Sequence, residues 1–262
     1  MEIRLEDMKW PEVGQILREP NVLLIPVGST EQHGLHLPLN VDSRCATYIA
    51  EQAARKVVDE REIRILVAPT IQYTVVTEFS DFPGTIGISL DTEIRVIREI
   101  TQGFIKQGFK KIILVNGHGP NTVPISAALH DISIEFPDIG LYGVNWWGLA
   151  SDIIRQVRKS NMGLHADELE TSLCLVIQPE KVESGQAVKD SPKLSLSSRW
   201  AKPDLFGIYS KVFYHSPKNF PRYTEASGVM GDPTVATKQT GETVIRAAVD
   251  ELSKLIIEIV TS

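Results

Sequence analysis

Asn21-Val22-Leu23-Leu24-Ile25-Pro26-Val27-Gly28 is a short apolar run that ends in glycine. It carries no polar alternation, so both faces of an extended segment would be apolar. Such a segment reads as a strand buried on both sides, the mark of a parallel sheet. The pattern returns at 63–68 and 111–115, and more weakly at 139–144. Between these runs the apolar spacing changes to that of helices. Residues 43–58 put Ala46, Ile49, Ala50, Ala53, Ala54 and Val57 on one stripe. Residues 91–107 begin with acidic side chains, which suit a helix N-terminus, and turn Ile94, Ile97, Ile100, Phe104 and Ile105 inward. Residues 121–135 read as another helix with Asn121 or Thr122 as its cap. Strand and helix in alternation predict βαβ units and a mostly parallel sheet.

Further along, 178–227 mixes Pro, Ser, Gly and aromatic residues without low complexity, and reads as an ordered excursion. Residues 242–260 form an amphipathic helix with Val244, Ile245, Ala248, Leu252, Leu255, Ile256 and Ile259 on one side. No composition shift marks a boundary and no repeat is present, so residues 1–262 read as a single domain.

The composition agrees with a folded enzyme-sized domain: 262 residues, 42% hydrophobic and 23% charged. A net charge of −6 argues against nucleic acid as a partner. No run is long enough to span a membrane, and Met1-Glu2-Ile3-Arg4-Leu5-Glu6-Asp7 does not read as a signal peptide. Cys45 and Cys174 make neither a disulfide framework nor a CxxC metal site. The expectation is a cytoplasmic protein.

Polar residues concentrate where the apolar runs end. After the first comes Gly28-Ser29-Thr30-Glu31-Gln32-His33-Gly34-Leu35-His36, with Asp42 nine residues beyond His33. Glu, His and Asp together suit a divalent cation such as Zn²⁺ or Mn²⁺. In an extended Glu-x-His segment both side chains point the same way. An exposed polar loop would have the same composition. The run 112–115 leads into Asn116-Gly117-His118-Gly119-Pro120-Asn121, which places His118 at the C-terminal end of a strand, where open α/β sheets bind ligands. A third cluster is Gly163-Leu164-His165-Ala166-Asp167-Glu168-Leu169-Glu170-Thr171-Ser172. Asp167 and Glu168 suit the start of a helix; Glu170 falls on its inward side, where a buried carboxylate needs a cation or other partner. Four of six histidines therefore sit in loops at element ends, while His130 and His215 read as ordinary.

These three clusters together resemble the creatininase family, also called the creatinine amidohydrolase family. The matching pieces are 26–34 with Asp42, then Asn116-Gly117-His118-Gly119, then His165-Ala166 with Glu170-Thr171-Ser172; Phe82-Pro83-Gly84-Thr85 and Gly228-Val229-Met230-Gly231-Asp232-Pro233 are similar to family sequence too. The resemblance implies a three-layer α/β/α sandwich and a hydrolase with two divalent metals per chain, zinc, manganese or iron. It implies Glu31, His33, Asp42, His118 and Glu170 as metal ligands, Asp42 bridging the ions, and His165 as the acid/base residue. Ser29, Gly119, Trp147 and Asp167 are expected around a small-molecule substrate. It also implies a homo-oligomer, a hexamer built from dimers.

Two departures matter. Creatinine-hydrolysing members carry Tyr-Glu after the histidine matched by His118, and that glutamate binds metal; here Gly119-Pro120 stands there. Those members also carry a tryptophan at the position of Asn161. Creatinine is therefore not the expected substrate. Trp146 and Trp147 serve either as an aromatic wall or as core packing. A phosphorylated substrate would want basic residues, and Arg199, Lys202 and Arg222 are either such a set or a solvated surface.

The implied chemistry is attack of a metal-bound hydroxide on a carbonyl, with His165 protonating the leaving group. It suits opening of a cyclic amide or cleavage of a related C–N bond. Two alternatives share the first step: ring-opening C–C hydrolysis of a cyclic diketone such as a keto-inositol, and deformylation of a nucleotide-like formamide. A non-catalytic member would be expected to have lost ligands. A dinucleotide fingerprint fails because Thr122 stands where its third glycine belongs, and no GxSxG elbow is present.

Overall fold

Six of the seven residues of the first strand, Val22 to Val27, are buried, and their neighbours explain why. The computed structural model describes residues 2–61, 63–77, 79–161, 163–190 and 227–261. In chain order the elements are α1 (Trp10–Ile16), β1 (Asn21–Val27), α2 (Val41–Glu60), β2 (Arg64–Val67), α3 (Leu90–Gln107), β3 (Lys111–Asn116), α4 (Thr122–Glu135), β4 (Gly140–Asn145), α5 (Trp146–Leu149), α6 (Ser151–Val157), β5 (Gly163–His165), α7 (Glu168–Ile177), β6 (Met230–Gly231) and α8 (Lys238–Thr261).

The central sheet is parallel in the order β2-β1-β3-β4. Leu23 pairs with Ile112 and Val27 with Asn116 across β1 and β3. Alternate residues divide between two cores, as the pleat requires. Val22, Leu24, Ile113 and Val115 face α2, α7 and α8. Leu23, Ile25, Ile112 and Leu114 face α1, α3 and α4. The result is a mostly parallel sheet with helices on both sides. A short antiparallel pair, β5 and β6, stands apart from it.

The expected stripes of α2 and α8 hold. Every predicted α2 position is buried, and on α8 only Leu255 is less than fully covered. On α3 the expectation for Ile100 fails: it is 37% exposed. The inward side of that helix runs through Glu93, Ile97 and Thr101, spaced by four. Ser89 caps α3 by accepting from Thr92 N–H. Asn121 precedes α4 without capping it; its side-chain amide donates instead to the Gly28 carbonyl at 2.9 Å.

β1 and β3 lie side by side, yet their chains leave in opposite directions across the sheet. That opens a crevice at their C-terminal ends. The first turn of α2 sits in it, against two glycines. A Cβ at Gly28 would overlap the Ser43 backbone, and one at Gly117 would overlap the Asp42 carbonyl. Gly28→Ala is therefore expected to cost roughly 3 kcal/mol, the upper end of overpacking penalties, because backbone has to move. Urea denaturation measures this, and an unchanged midpoint would refute the close-approach argument.

Candidate metal centre

Three chain segments meet in that crevice. The 28–40 loop brings Glu31 and His33, the first turn of α2 brings Asp42, and the end of β3 brings His118. The segment from β5 into α7 adds His165 and Glu170. All six side chains are buried.

Asp42 is central. Its Oδ1 lies 3.1 Å from His33 Nε2, and its Oδ2 lies 2.8 Å from His118 Nδ1. Glu31 Oε1 is 3.1 Å from His118 Nδ1 and 3.6 Å from His165 Nδ1. Glu170 Oε2 is 3.6 Å from His33 Nε2. These atoms form overlapping donor sets: Glu31, Asp42 and His118; His33, Asp42 and Glu170; Glu31, His33 and His165.

The outer nitrogens assign the tautomers. His118 Nε2–H donates to the Val75 carbonyl at 3.0 Å, and His33 Nδ1–H donates to the Glu31 carbonyl at 3.1 Å. Each ring thus turns its other nitrogen toward the carboxylates, where it can carry a proton or, once deprotonated, ligate a cation, the arrangement that backbone acceptors impose on metal-binding histidines. His165 Nε2–H donates to the Gln32 carbonyl at 2.7 Å, which leaves Nδ1 facing Glu31. Gln32 Nε2 lies 3.0 Å from the same His165 nitrogen and donates to the Gly228 carbonyl. Phe79 stacks on the His165 ring with centroids 4.2 Å apart.

The electrostatics describe a site short of positive charge. Oε2 of the buried Glu31 has no hydrogen-bond partner, and Oε1 has only the ion-pair contacts with His118 and His165. Burial raises the pKa of Glu31, against the pull of His118, and raises that of Glu170 well above the carboxylate range, against His33. Burial opposes charge on His33, but Asp42 and Glu170 outweigh it and push its pKa up to about 10. His118 is likewise raised by Glu31 and Asp42 in spite of burial. Asp42 is held well below its usual value by His33 and His118, although burial acts the other way. His165 is the exception: burial, with the His33 charge beside it, depresses its pKa well below normal. A buried carboxylate without a hydrogen bond is costly unless a cation neutralises it. The donors are nitrogens and carboxylate oxygens, which suit Zn²⁺ or Mn²⁺.

The other expected site residues fall into two groups. Ser29 Oγ donates to Asp42 Oδ2 at 2.8 Å, so its hydroxyl orients a carboxylate. Gly119 opens the 3₁₀ turn 119–121 directly after His118. Asp167 is the N-cap of α7, its Oδ1 accepting from Leu169 N–H and Glu170 N–H. Trp147 is packed edge-on against Trp146 in the core beside α8. Glu168 accepts from Lys159 and Ser160 N–H. Ala166 takes a left-handed φ of 48°, a strained conformation for alanine, and its N–H donates to Glu170 Oε2 at 2.5 Å. His36, the fourth loop histidine, contacts Thr171 Oγ1 at 2.9 Å, and burial lowers its pKa to about 4. Arg199, Lys202, Arg222 and His215 lie outside the described residues. Gln32, Phe79, Glu93 and Thr85, whose Oγ1 accepts from Gln32 N–H, support the site without having been singled out in the sequence.

Comparison with known proteins identifies the family and the fold. The 3-dehydro-scyllo-inosose hydrolase of Thermotoga maritima is 28% identical over 98% of this chain and 83% of its own. The mycofactocin precursor peptide peptidase of Mycolicibacterium smegmatis is 29% identical over 87% of this chain and 81% of its own. A creatinine amidohydrolase structure from Bacteroides fragilis shares the fold with a TM-score of 0.85, at 24% identity, covering 100% of this chain and 97% of that one. Creatininase structures of the same fold include manganese and zinc–zinc forms. No helix among the described residues is long and apolar enough to cross a membrane. The model of the creatininase, or creatinine amidohydrolase, family matches residues 6–256, nearly the whole length, and the chain belongs to that family of hydrolases.

Proposed function

We propose that the protein hydrolyses a C–N bond next to a carbonyl in a small molecule, using two divalent cations. The observation that carries this reading is the Glu31 carboxylate, buried with Oε2 unpartnered and set among Asp42, His118 and His165. Glu31, Asp42 and His118 would hold one cation; His33, Asp42 and Glu170 would hold the other. Pro120, where creatinine-hydrolysing members have a ligating glutamate, is exposed, so the His118 donor set relies on Glu31 and Asp42. Cations held there supply Lewis acidity, polarising a carbonyl oxygen and lowering the pKa of water.

The chain's own groups do the rest. Asp42 presents one oxygen to each donor set, and Ser29 fixes its carboxylate plane. His165 stays neutral at working pH because its pKa is depressed, so Nδ1 can take a proton from the attacking water and deliver it to the leaving nitrogen. The Gln32 carbonyl and the Phe79 face hold the ring for that transfer. Creatinine itself is not the substrate, since Asn161 and Pro120 replace the side chains its hydrolysis uses. The reading carries with it a homo-oligomer, on the family resemblance alone, and a cytoplasmic location, on the sequence composition.

One observation favours a second reading. The inosose hydrolase relative aligns with 98% of the chain, which supports ring-opening C–C hydrolysis of a cyclic ketone. The products separate the two. C–C cleavage releases a carboxylic acid alone, and so one proton per turnover that a pH-stat records. C–N cleavage releases a carboxylate and an amine that takes up that proton near neutral pH, and an amine reagent detects it. Cyclic amides and keto-inositols should be assayed both ways. His165→Ala is expected to lower kcat by about 10²–10⁴-fold, the usual worth of a general acid–base group, with metal content unchanged. Wild-type turnover in a metal-loaded variant would remove His165 from the mechanism.

A further inference from the structure

His118 turns Nδ1 inward toward the carboxylates while Nε2–H is held by the Val75 carbonyl. That carbonyl belongs to a strap, residues 74–76, with no regular secondary structure of its own. The strap is tied on both sides of Val75. Thr74 Oγ1 donates to the Gly28 carbonyl at 2.7 Å, and Ile88 N–H donates to the Thr74 carbonyl at 2.9 Å. Gly87 packs against the Val76 backbone so closely that a Cβ there would overlap it. Val75 N–H itself donates to Glu93 Oε2 at 2.6 Å.

Glu93 is an unusual residue for this task. It sits in the first turn of α3, fully buried, one turn ahead of Ile97 on the inward side. Its second oxygen, Oε1, is buried without a hydrogen bond. Burying a carboxylate to satisfy one amide is expensive. The residue that amide belongs to carries the His118 acceptor, which gives the placement a purpose.

We propose that Glu93 is a positioning residue for the metal centre: by holding Val75 N–H it fixes the Val75 carbonyl, and through that carbonyl the ring of His118. The inference rests on His118 being a metal ligand, as the proposed function requires. Outer partners of metal-binding histidines change metal affinity by about 10–100-fold when removed. The reach of the side chain, rather than its charge, is what the arrangement uses.

Two conservative variants of the full chain separate reach from charge. Glu93→Asp keeps the charge but is one methylene too short to meet Val75 N–H. Glu93→Gln loses the charge but keeps an acceptor oxygen in place. Zn²⁺ affinity, measured by competition with a chromogenic chelator, is expected to fall about 10–100-fold in Glu93→Asp and to stay within about threefold of wild type in Glu93→Gln. In zinc-loaded protein labelled with ¹⁵N-histidine, the His118 Nε2–H signal should persist in wild type and Glu93→Gln. It should broaden by solvent exchange in Glu93→Asp. A purely structural carboxylate would lower the melting temperature of Glu93→Asp and leave both readouts unchanged, which would overturn the proposal. So would a Glu93→Gln variant as weak as Glu93→Asp. Wild-type protein that binds no Zn²⁺ would overturn the metal centre and this inference together, whereas normal wild-type binding with unaffected variants overturns the inference alone.

Discussion

Asp42→Asn is expected to leave at most one divalent cation per chain and to lower kcat/KM by on the order of 10³-fold, the scale of losing one principal electrostatic contact. The substitution keeps the size of the side chain and leaves an oxygen for Ser29 Oγ to bond. What it removes is the ability to serve two donor sets at once. Oδ1 now faces His33 Nε2 and Oδ2 faces His118 Nδ1, the two nitrogens whose protons a cation would displace. An asparagine offers one oxygen and one NH₂. Whichever way the amide flips, its NH₂ donates to a ring nitrogen and occupies the lone pair a cation would use. The fold should survive, since His33 and His118 can release their protons when the counter-charge goes. Circular dichroism should therefore be unchanged while elemental analysis shows the missing metal. Two cations per chain in the variant would mean that Asp42 does not bridge the donor sets.

The parts of this molecule that were legible in the sequence share a physical cause. β1 and β3 are buried on both faces, so their residue types betray them without any knowledge of what covers them. Glu31, His33, Asp42 and His118 stand out because acidic and imidazole groups gathered among glycines at strand ends serve no packing purpose. Glu170 was legible for the opposite reason, as a carboxylate on the inward side of a helix.

Glu93 carries the same signal, one turn ahead of Ile97, yet the inward side of α3 was drawn through Ile100, and Ile100 is exposed. Ridges of isoleucine on both sides of that helix left its true inward side ambiguous. Other support was hidden for a deeper reason. The acceptors that orient His118, His33 and His165 are the backbone carbonyls of Val75, Glu31 and Gln32. Every residue has a carbonyl, so nothing in the side-chain pattern marks these three. Asp167 and Trp147 show the converse: residue types that suit a binding site but are placed as a helix cap and in a core.

Removing the cations with a chelator is expected to abolish turnover, adding Mn²⁺ or Zn²⁺ to restore it, and the chelated form alone to lose stability as pH rises above neutral. Without cations, protons on His33 and His118 balance the buried carboxylates. The pKa of His33 is raised to about 10 in the folded chain, against about 6.5 unfolded. A raised folded pKa contributes stability that is complete below about 6.5 and is lost as pH climbs through about 10. Asp42, whose folded pKa is depressed, adds stability above its unfolded value of about 3.9, which is lost only in acid. The chelated protein should thus weaken from neutral to alkaline pH. Cation binding runs the other way. His33, His118, Glu31 and Glu170 must all be deprotonated to serve as ligands, so affinity rises over the same range and binding releases protons. With each site at a hundred times its Kd, two sites add roughly 5 kcal/mol, roughly 10–20 °C in Tm for a chain of this size. The gap between the melting curves of the loaded and chelated protein should therefore widen between pH 6.5 and 9, at fixed free metal. Parallel curves would mean that the protons on these histidines and the cations do not compete for the same atoms, and the assignment of His33 and His118 as ligands would fall with them.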